Sequence, residues 1–277
     1  MSGTTGTSTT TTVTAATASS GTVGGDLSGR AALVTGGSRN IGRETALALG
    51  RLGADVVITY REQGDAARRT IEELRALGVR GHAVRADLTG TGDLDRLVAE
   101  LRTTLAGWGH ERLHVLVNNA GTLRLGGFDT IDEEALDAVY AVNYKSVFFL
   151  TQRLVDLMAD GGRIVNLGSG TARIAFGPLV SYGPFKAALQ SLTAYLAATL
   201  GPRGITVNAV APGGLDDDFN APLFAVAPGA RGYIAGNTAL GRIGTPTDVS
   251  SVIAFLCSDG AGFVSGAVLP VDGGYHL

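Results

Sequence analysis

The sequence predicts an α/β chain with a doubly wound, Rossmann-type, seven-stranded parallel sheet flanked by helices in a single domain. Three observations predict it. From Arg30 onward, short aliphatic and β-branched runs alternate with longer amphipathic segments. The short runs lack the apolar-polar alternation of a sheet with one wet face. A glycine-rich turn joins the first run to the first amphipathic segment, as in dinucleotide-binding folds.

Residues 31–35, 55–59, 82–86, 113–118, 162–167, 205–211 and 267–271 each read as a buried strand. Residues 41–52, 65–77, 93–106, 133–158, 185–200 and 248–257 read as helices between them. Strands separated by helices imply parallel pairing with both faces covered. Residues 26–277 contain no linker-like stretch and no repeat beyond the strand-helix alternation. Residues 1–25 are a Thr/Ser-rich thread with Gly and Ala, without charge or aromatic, and predict a disordered N-terminal tail. They have neither the basic start and apolar core of a secretory signal nor the arginines of an organelle-targeting peptide.

Composition excludes several classes of function. The chain has 277 residues, 45% hydrophobic and 17% charged, with 22 basic and 25 acidic side chains and a net charge of −3. That balance gives no broad basic field for nucleic acid or anionic membrane. No apolar run approaches the ~20 residues of a membrane helix. The single cysteine, Cys257, cannot form an intrachain disulfide, which favours a cytoplasmic setting. His110 and His114 are four residues apart, but Gly107 and Gly109 break the helix before them, so no metal site is expected. Lys145 and Lys186 are the only lysines.

The first strand leads into Thr35-Gly36-Gly37-Ser38-Arg39-Asn40-Ile41-Gly42. Such a turn lets backbone N–H groups and a helix N-terminus approach a pyrophosphate. The second strand ends at Thr59-Tyr60-Arg61, where an NAD-preferring fold carries an acid for the ribose 2′-hydroxyl. Arg61, with Arg39, instead suits a 2′-phosphate and points to NADPH, although Glu62 stands one residue later.

The turn resembles the T-G-x-x-x-G-x-G motif of the short-chain dehydrogenase/reductase family, with Asn40 in place of the middle glycine. Asn tolerates left-handed backbone better than most residues. The resemblance spans about residues 28–277. It includes Asn118-Asn119-Ala120-Gly121 after the fourth strand, Pro212-Gly213 after the sixth, and Asp272-Gly273-Gly274 near the end. Tyr182 and Lys186 are four residues apart, Ser169 precedes Tyr182 by 13, and Asn143 lies in the helix after the fourth strand. At this spacing the resemblance implies an Asn143-Ser169-Tyr182-Lys186 catalytic tetrad. Tyr182 would be the proton donor and Ser169 would orient the carbonyl. Lys186 would lower the Tyr182 pKa and hold the nicotinamide ribose, while Asn143 would hold a water leading to solvent. The same resemblance implies cofactor contacts at Gly36, Ser38, Arg39, Asn40, Ile41, Gly42, Tyr60, Arg61, Asp87, Leu88, Asn118, Ala120, Gly121, Tyr182, Lys186, Pro212 and Gly213.

Two departures are visible. Pro184 sits between Tyr182 and Lys186, and proline fits only a first helical turn, so the helix must begin beside Tyr182. Asp217, within Asp216-Asp217-Asp218, replaces the threonine that touches the cofactor carboxamide in the family. The acidic run reads as a solvated loop or as a polar rim of the substrate mouth.

Residues 214–237 read as a substrate lid carrying Phe219, Phe224 and Tyr233, with Phe176 following Ser169, which suits an apolar or aromatic, polyketide-like ketone. The expected function is an NADPH-dependent ketone reductase. The alternatives are a 3-oxoacyl-[acyl-carrier-protein] reductase and a non-catalytic NADP-sensing binding protein. The apolar surface of the 133–158 and 185–200 helices, with the family's usual association, predicts a homodimer or homotetramer.

Overall fold

A computed structural model describes residues 25–277; most of the 1–25 tail lies outside the described residues. Seven strands form one parallel sheet in the order β3-β2-β1-β4-β5-β6-β7. They are β1 (Ala31–Val34), β2 (Asp55–Tyr60), β3 (Gly81–Arg85), β4 (Leu113–Asn118), β5 (Met158–Leu167), β6 (Thr206–Pro212) and β7 (Val268–Val271). β1 shows why both faces need helices: Ala32 and Val34 join one apolar layer, while Ala31 and Leu33 join the other. The first layer is covered by α1 (Asn40–Arg51), α2 (Gly64–Ala76) and α9 (Pro246–Cys257). The second is covered by α3 (Gly92–Gly107), α5 (Ser146–Leu154) and α6 (Gly183–Leu200).

Strand order reverses between β1 and β4, and in doubly wound sheets the ligand crevice lies at such a point, beyond the carboxyl ends of the strands. The glycine turn, Asn118 to Gly121, and the Ser169 segment after β5 all leave the sheet on that side.

Two boundaries differ from the sequence reading. The predicted 133–158 helix is α4 (Glu133–Tyr140), a π-helical turn (Ala141–Lys145) and α5, ending at Leu154. Asn143 Nδ2 donates to Val139 O at 2.9 Å and Ser146 Oγ donates to Val142 O at 2.7 Å. Such bonds to the preceding turn bend a helix and accompany the wider π turn. β5 begins at Met158, which pairs with Leu113, and a bulge follows before Arg163 pairs with Val115. Leu157 and Met158 are buried in the same layer as Leu150 and Leu154, so apolar pattern alone does not show where the helix ends.

Residues 214–237 hold two short helices, α7 (Ala221–Val226) and α8 (Ala230–Gly236), where the sequence showed only interruptions. α9 begins with a reciprocal cap: the Thr245 side chain accepts from Asp248 N, and Asp248 Oδ2 accepts from Thr245 N at 2.8 Å. Thr245→Ala is expected to lower stability by about 1 kcal/mol in urea unfolding. An unchanged midpoint would show that the cap contributes nothing.

Candidate active site

Thr35 and Asn119 close the floor of the crevice. Asn119 N and Ala120 N each donate to Thr35 Oγ1 at 3.0 Å, and Asn119 Nδ2 donates to Thr35 O at 2.8 Å and Gly36 O at 3.2 Å. Gly36 takes φ 65°, and Asn40, standing for the family's middle glycine, takes φ 52°, so the left-handed position is filled by a tolerant residue. A Cβ on Gly42 would stand 2.2 Å from Gly36 O, and one on Gly37 would stand 2.5 Å from Ile58 Cγ2. Those two glycines therefore serve close packing of the turn. α1 starts without a side-chain cap and without an acid in its first turn. Its first N–H groups and positive dipole end thus face the crevice beside exposed Arg39, a donor set that suits a phosphate.

The second strand's end is less open. Arg61 Nη2 lies 2.9 Å from Glu62 Oε1, so the carboxylate that the sequence left in question pairs with the arginine; both side chains are exposed. Ser38 is buried, and Ile41 and Tyr60 are half-buried. Asp87 is exposed and accepts from Thr89 N at 2.9 Å, while Leu88 is buried in the sheet layer. Asn118 is buried and donates to Asn166 Oδ1 at 2.9 Å, bracing β4 against β5. Gly213 packs closely on Asp272.

Ser169, Tyr182, Lys186 and Asn143 come together where β5 and α6 meet. α6 begins at Gly183 with Tyr182 as its N-cap residue, as Pro184 requires. Lys186 is buried, donates from Nζ to Leu167 O at 2.7 Å, and lies 5.4 Å from the centre of the Tyr182 ring. Burial pushes the Lys186 ammonium down to about 7. Burial also raises the Tyr182 phenol above its ordinary range, against a hydrogen bond from Ser169 and with the nearby Asp217 charge adding to the rise. Each group therefore ionises poorly alone. Asn143 is fully buried; its Nδ2 serves Thr122 O and Val139 O, and its Oδ1 has no partner. A Cβ on Gly121 would lie 3.0 Å from that oxygen and 3.8 Å from Lys186 Nζ, so both atoms border the same small space.

Of the residues read as lining the substrate, Phe219 comes nearest, with its ring centre 6.1 Å from that of Tyr182. Phe224 is buried beneath Arg231, 4.1 Å from its ring centre, and Tyr233 stands against His276 at 6.3 Å. Phe176 is exposed. The acidic run is not uniformly solvated: Asp216 and Asp218 are exposed, but Asp217 is half-buried and accepts from Asn220 N at 3.0 Å and Nδ2 at 2.9 Å. Burial raises its carboxyl. The three acids diverge because Asn220 draws only Asp217 inward, which residue identity alone does not reveal.

Sequence reading passed over three contributors. Asn119 lay within the quoted Asn-Asn-Ala-Gly stretch. Gln190 stands one helical turn past Lys186 and donates to Ser169 O at 3.0 Å, a position i+4 spacing marks. Thr171 bonds Ser169 from two residues away. Among the described residues, no group of three or more His, Cys, Asp or Glu side chains is placed to hold a metal ion, and no helix is long and apolar enough to cross a membrane.

A family profile described as enoyl-(acyl carrier protein) reductase matches residues 36–276. The chain is similar to trihydroxynaphthalene reductase PfmaI of Pestalotiopsis fici, 32% identical over 91% of this chain and 92% of the relative. It is also similar to 3-oxoacyl-[acyl-carrier-protein] reductase FabG of Pseudomonas aeruginosa, 36% identical over 91% of this chain and 99% of the relative. Among solved structures, landomycin C-6 ketoreductase LanV with bound NADP and rabelomycin superposes with a TM-score of 0.83. It is 38% identical and covers 91% of this chain and 98% of its own.

The Lys186 environment makes stability depend on pH. Lys186 loses its proton near pH 7 in the folded chain but near its ordinary value of 10.5 when unfolded. Between those values the unfolded chain binds more protons, so stability of the cofactor-free protein is expected to rise from pH 7 to 9.5. Lys186→Met should flatten that rise in denaturant titrations. A variant that kept the wild-type slope would place its origin elsewhere.

Proposed function

The chain belongs to the short-chain dehydrogenase/reductase family, and we propose that it is an NADPH-dependent reductase of an apolar or aromatic, polyketide-like ketone. The observation that carries the reaction is the buried Lys186 ammonium 5.4 Å from the Tyr182 ring centre, with only one of its three donors used, on Leu167 O. When bound, NADPH supplies the hydride.

Gly36, Ser38, Arg39, Asn40, Ile41 and Gly42, with Tyr60, Arg61, Asp87 and Leu88 beyond, would hold its adenosine and phosphates. Asn118, Ala120, Gly121, Pro212 and Gly213 would hold the nicotinamide side. Arg39, which is exposed, would be available to a 2′-phosphate, and Arg61 would become available by leaving Glu62. Lys186 keeps donors for ribose hydroxyls.

Tyr182 gives its proton to the carbonyl oxygen as negative charge develops there, and Ser169 donates a second hydrogen bond to that oxygen. Lys186 stabilises the phenolate left behind. The orphan Asn143 Oδ1 holds a water beside Lys186 through which the proton is replaced.

Phe219 beside Tyr182 supports an apolar ring over the carbonyl, under a lid of residues 214–237. Phe224, now under Arg231, and Tyr233 join it only if the lid moves on closing. Support for a fused-ring substrate also comes from the relatives, whose names include trihydroxynaphthalene reductase and landomycin ketoreductase. The likeness to FabG keeps an acyl thioester as the second reading. Half-buried Asp217 beside Tyr182 disfavours an acidic carrier at this mouth. Exposed Tyr140, Phe148 and Tyr195 on the α4, α5 and α6 faces support a homodimer or homotetramer, and the lone buried cysteine supports a cytoplasmic setting.

Steady-state assays with 2-tetralone and acetoacetyl-coenzyme A, each with NADPH and NADH, test the reading. The bicyclic ketone with NADPH is expected to have the highest kcat/KM. Preference for the thioester would move the assignment to acyl-carrier reduction. Tyr182→Phe should keep NADPH affinity and lose roughly 10²–10⁴-fold in kcat; substantial turnover would place the acid elsewhere.

A further inference from the structure

A serine hydroxyl has one proton to give and two lone pairs to receive. Ser169 opens the short 3₁₀ turn Gly170–Ala172, and its Oγ accepts from Thr171 N at 3.2 Å. Thr171 Oγ1 stands 2.8 Å from the same Ser169 oxygen and, among the described residues, has no other hydrogen-bond partner. Two proton arrangements are possible. If Ser169 donated to Thr171, the Thr171 proton would lack an acceptor in the protein, and Ser169 would offer a ketone oxygen only lone pairs. If Thr171 donates, both lone pairs of Ser169 are filled and its one proton is left for the Tyr182 side. The first arrangement would turn the proton of the half-buried Thr171 hydroxyl out to solvent; the second keeps it within the protein and leaves the Ser169 proton free.

We propose that Thr171 is a positioning residue: its hydroxyl, 2.8 Å from Ser169 Oγ, commits the Ser169 proton to the substrate carbonyl. The proposal rests on the reading of Ser169 as a donor to that carbonyl. A hydroxyl that accepts a hydrogen bond becomes a better donor, so Thr171 also polarises the Ser169 proton.

Both residues are fixed relative to the acid. A Cβ on Gly183, the first residue of α6 and the neighbour of Tyr182, would lie 2.8 Å from Thr171 O, so the Thr171 backbone packs directly against the start of that helix. Gln190 holds Ser169 from the other side, donating to its carbonyl at 3.0 Å. Gly168, just before Ser169, donates to Val210 O at 2.7 Å. The Ser169 main chain is thus held by β6 and α6, and its hydroxyl rotor remains to be set. Thr171 sets it.

The test is a double-mutant cycle on NADPH-dependent reduction of 2-tetralone, with hydride transfer followed in single turnovers. Thr171→Val keeps the side-chain shape and the backbone N–H but removes the hydroxyl. It is expected to slow the step about tenfold, the effect of one hydrogen bond, without changing KM for NADPH. Thr171→Ser, which restores a hydroxyl, should return most of the rate. In a Ser169→Ala background, Thr171→Val should add less than a twofold loss, because its only target is gone; any folding loss from the valine would persist there and is so distinguished. Wild-type rates in Thr171→Val beside a crippled Ser169→Ala would overturn the proposal alone. An undiminished tenfold loss in the Ser169→Ala background would overturn it as well. Wild-type rates in Ser169→Ala would remove both the donor reading and the proposal built on it.

Discussion

The site depends first on the way β1 and β4 are tied together where the strand order reverses. Parallel neighbours that continue in opposite directions leave unpaired backbone groups at their ends, and a buried unpaired group costs free energy. Thr35 and Asn119 satisfy those groups with their side chains, four hydrogen bonds of 2.8 to 3.2 Å across the gap. The tie fixes the glycine turn, because Gly36 O is one of its acceptors. It also fixes Ala120 and Gly121, whose backbone borders the space before Asn143 and Lys186. The glycine turn and the space before Lys186 are therefore braced by one tie.

Around Lys186 and Tyr182 the governing quantity is desolvation. Lys186 and Tyr182 are both buried, and burial alone makes the lysine a weaker base and the tyrosine a weaker acid. In the proposed reading the two act together, with the cation compensating the phenolate. The π turn is part of the same economy. It opens the helix at the residue whose Oδ1 is left without a partner beside Lys186, and π turns recur at functional positions. Asn143 is directional: its two donors are tied to carbonyls, so only an acceptor faces the lysine.

Residues 214–237 follow different physics from the sheet. α7 and α8 are six and seven residues long, too short to be stable without tertiary support. Local pairings hold them: Arg231 lies over Phe224 and bonds Asp216 at 2.9 Å, while Asn220 holds Asp217. Phe219 beside Tyr182 links this weakly held layer to the rigid floor. In the proposed reading, substrate shape would be read by residues 214–237 and the bond-making groups would sit on the sheet and α6.

The sequence by itself determined the alternation and the parallel sheet, because buried strands and amphipathic helices are local patterns, and the spacing of Ser169, Tyr182 and Lys186 carried the resemblance that singled those residues out. Pro184 even located the start of α6, since ring geometry permits little else there. Tertiary structure decided what local pattern leaves degenerate. Leu157 and Met158 look helical by composition yet feed a strand, because the same apolar layer accepts either. Three adjacent aspartates look alike until Asn220 selects one of them. Arg39 and Arg61 are equivalent as charges until Glu62 engages only the second. Thr171 is an ordinary loop threonine in sequence; it acquires a role because a 3₁₀ turn brings its hydroxyl back onto Ser169, and hydrogen-bond direction is fixed by what surrounds both oxygens in space.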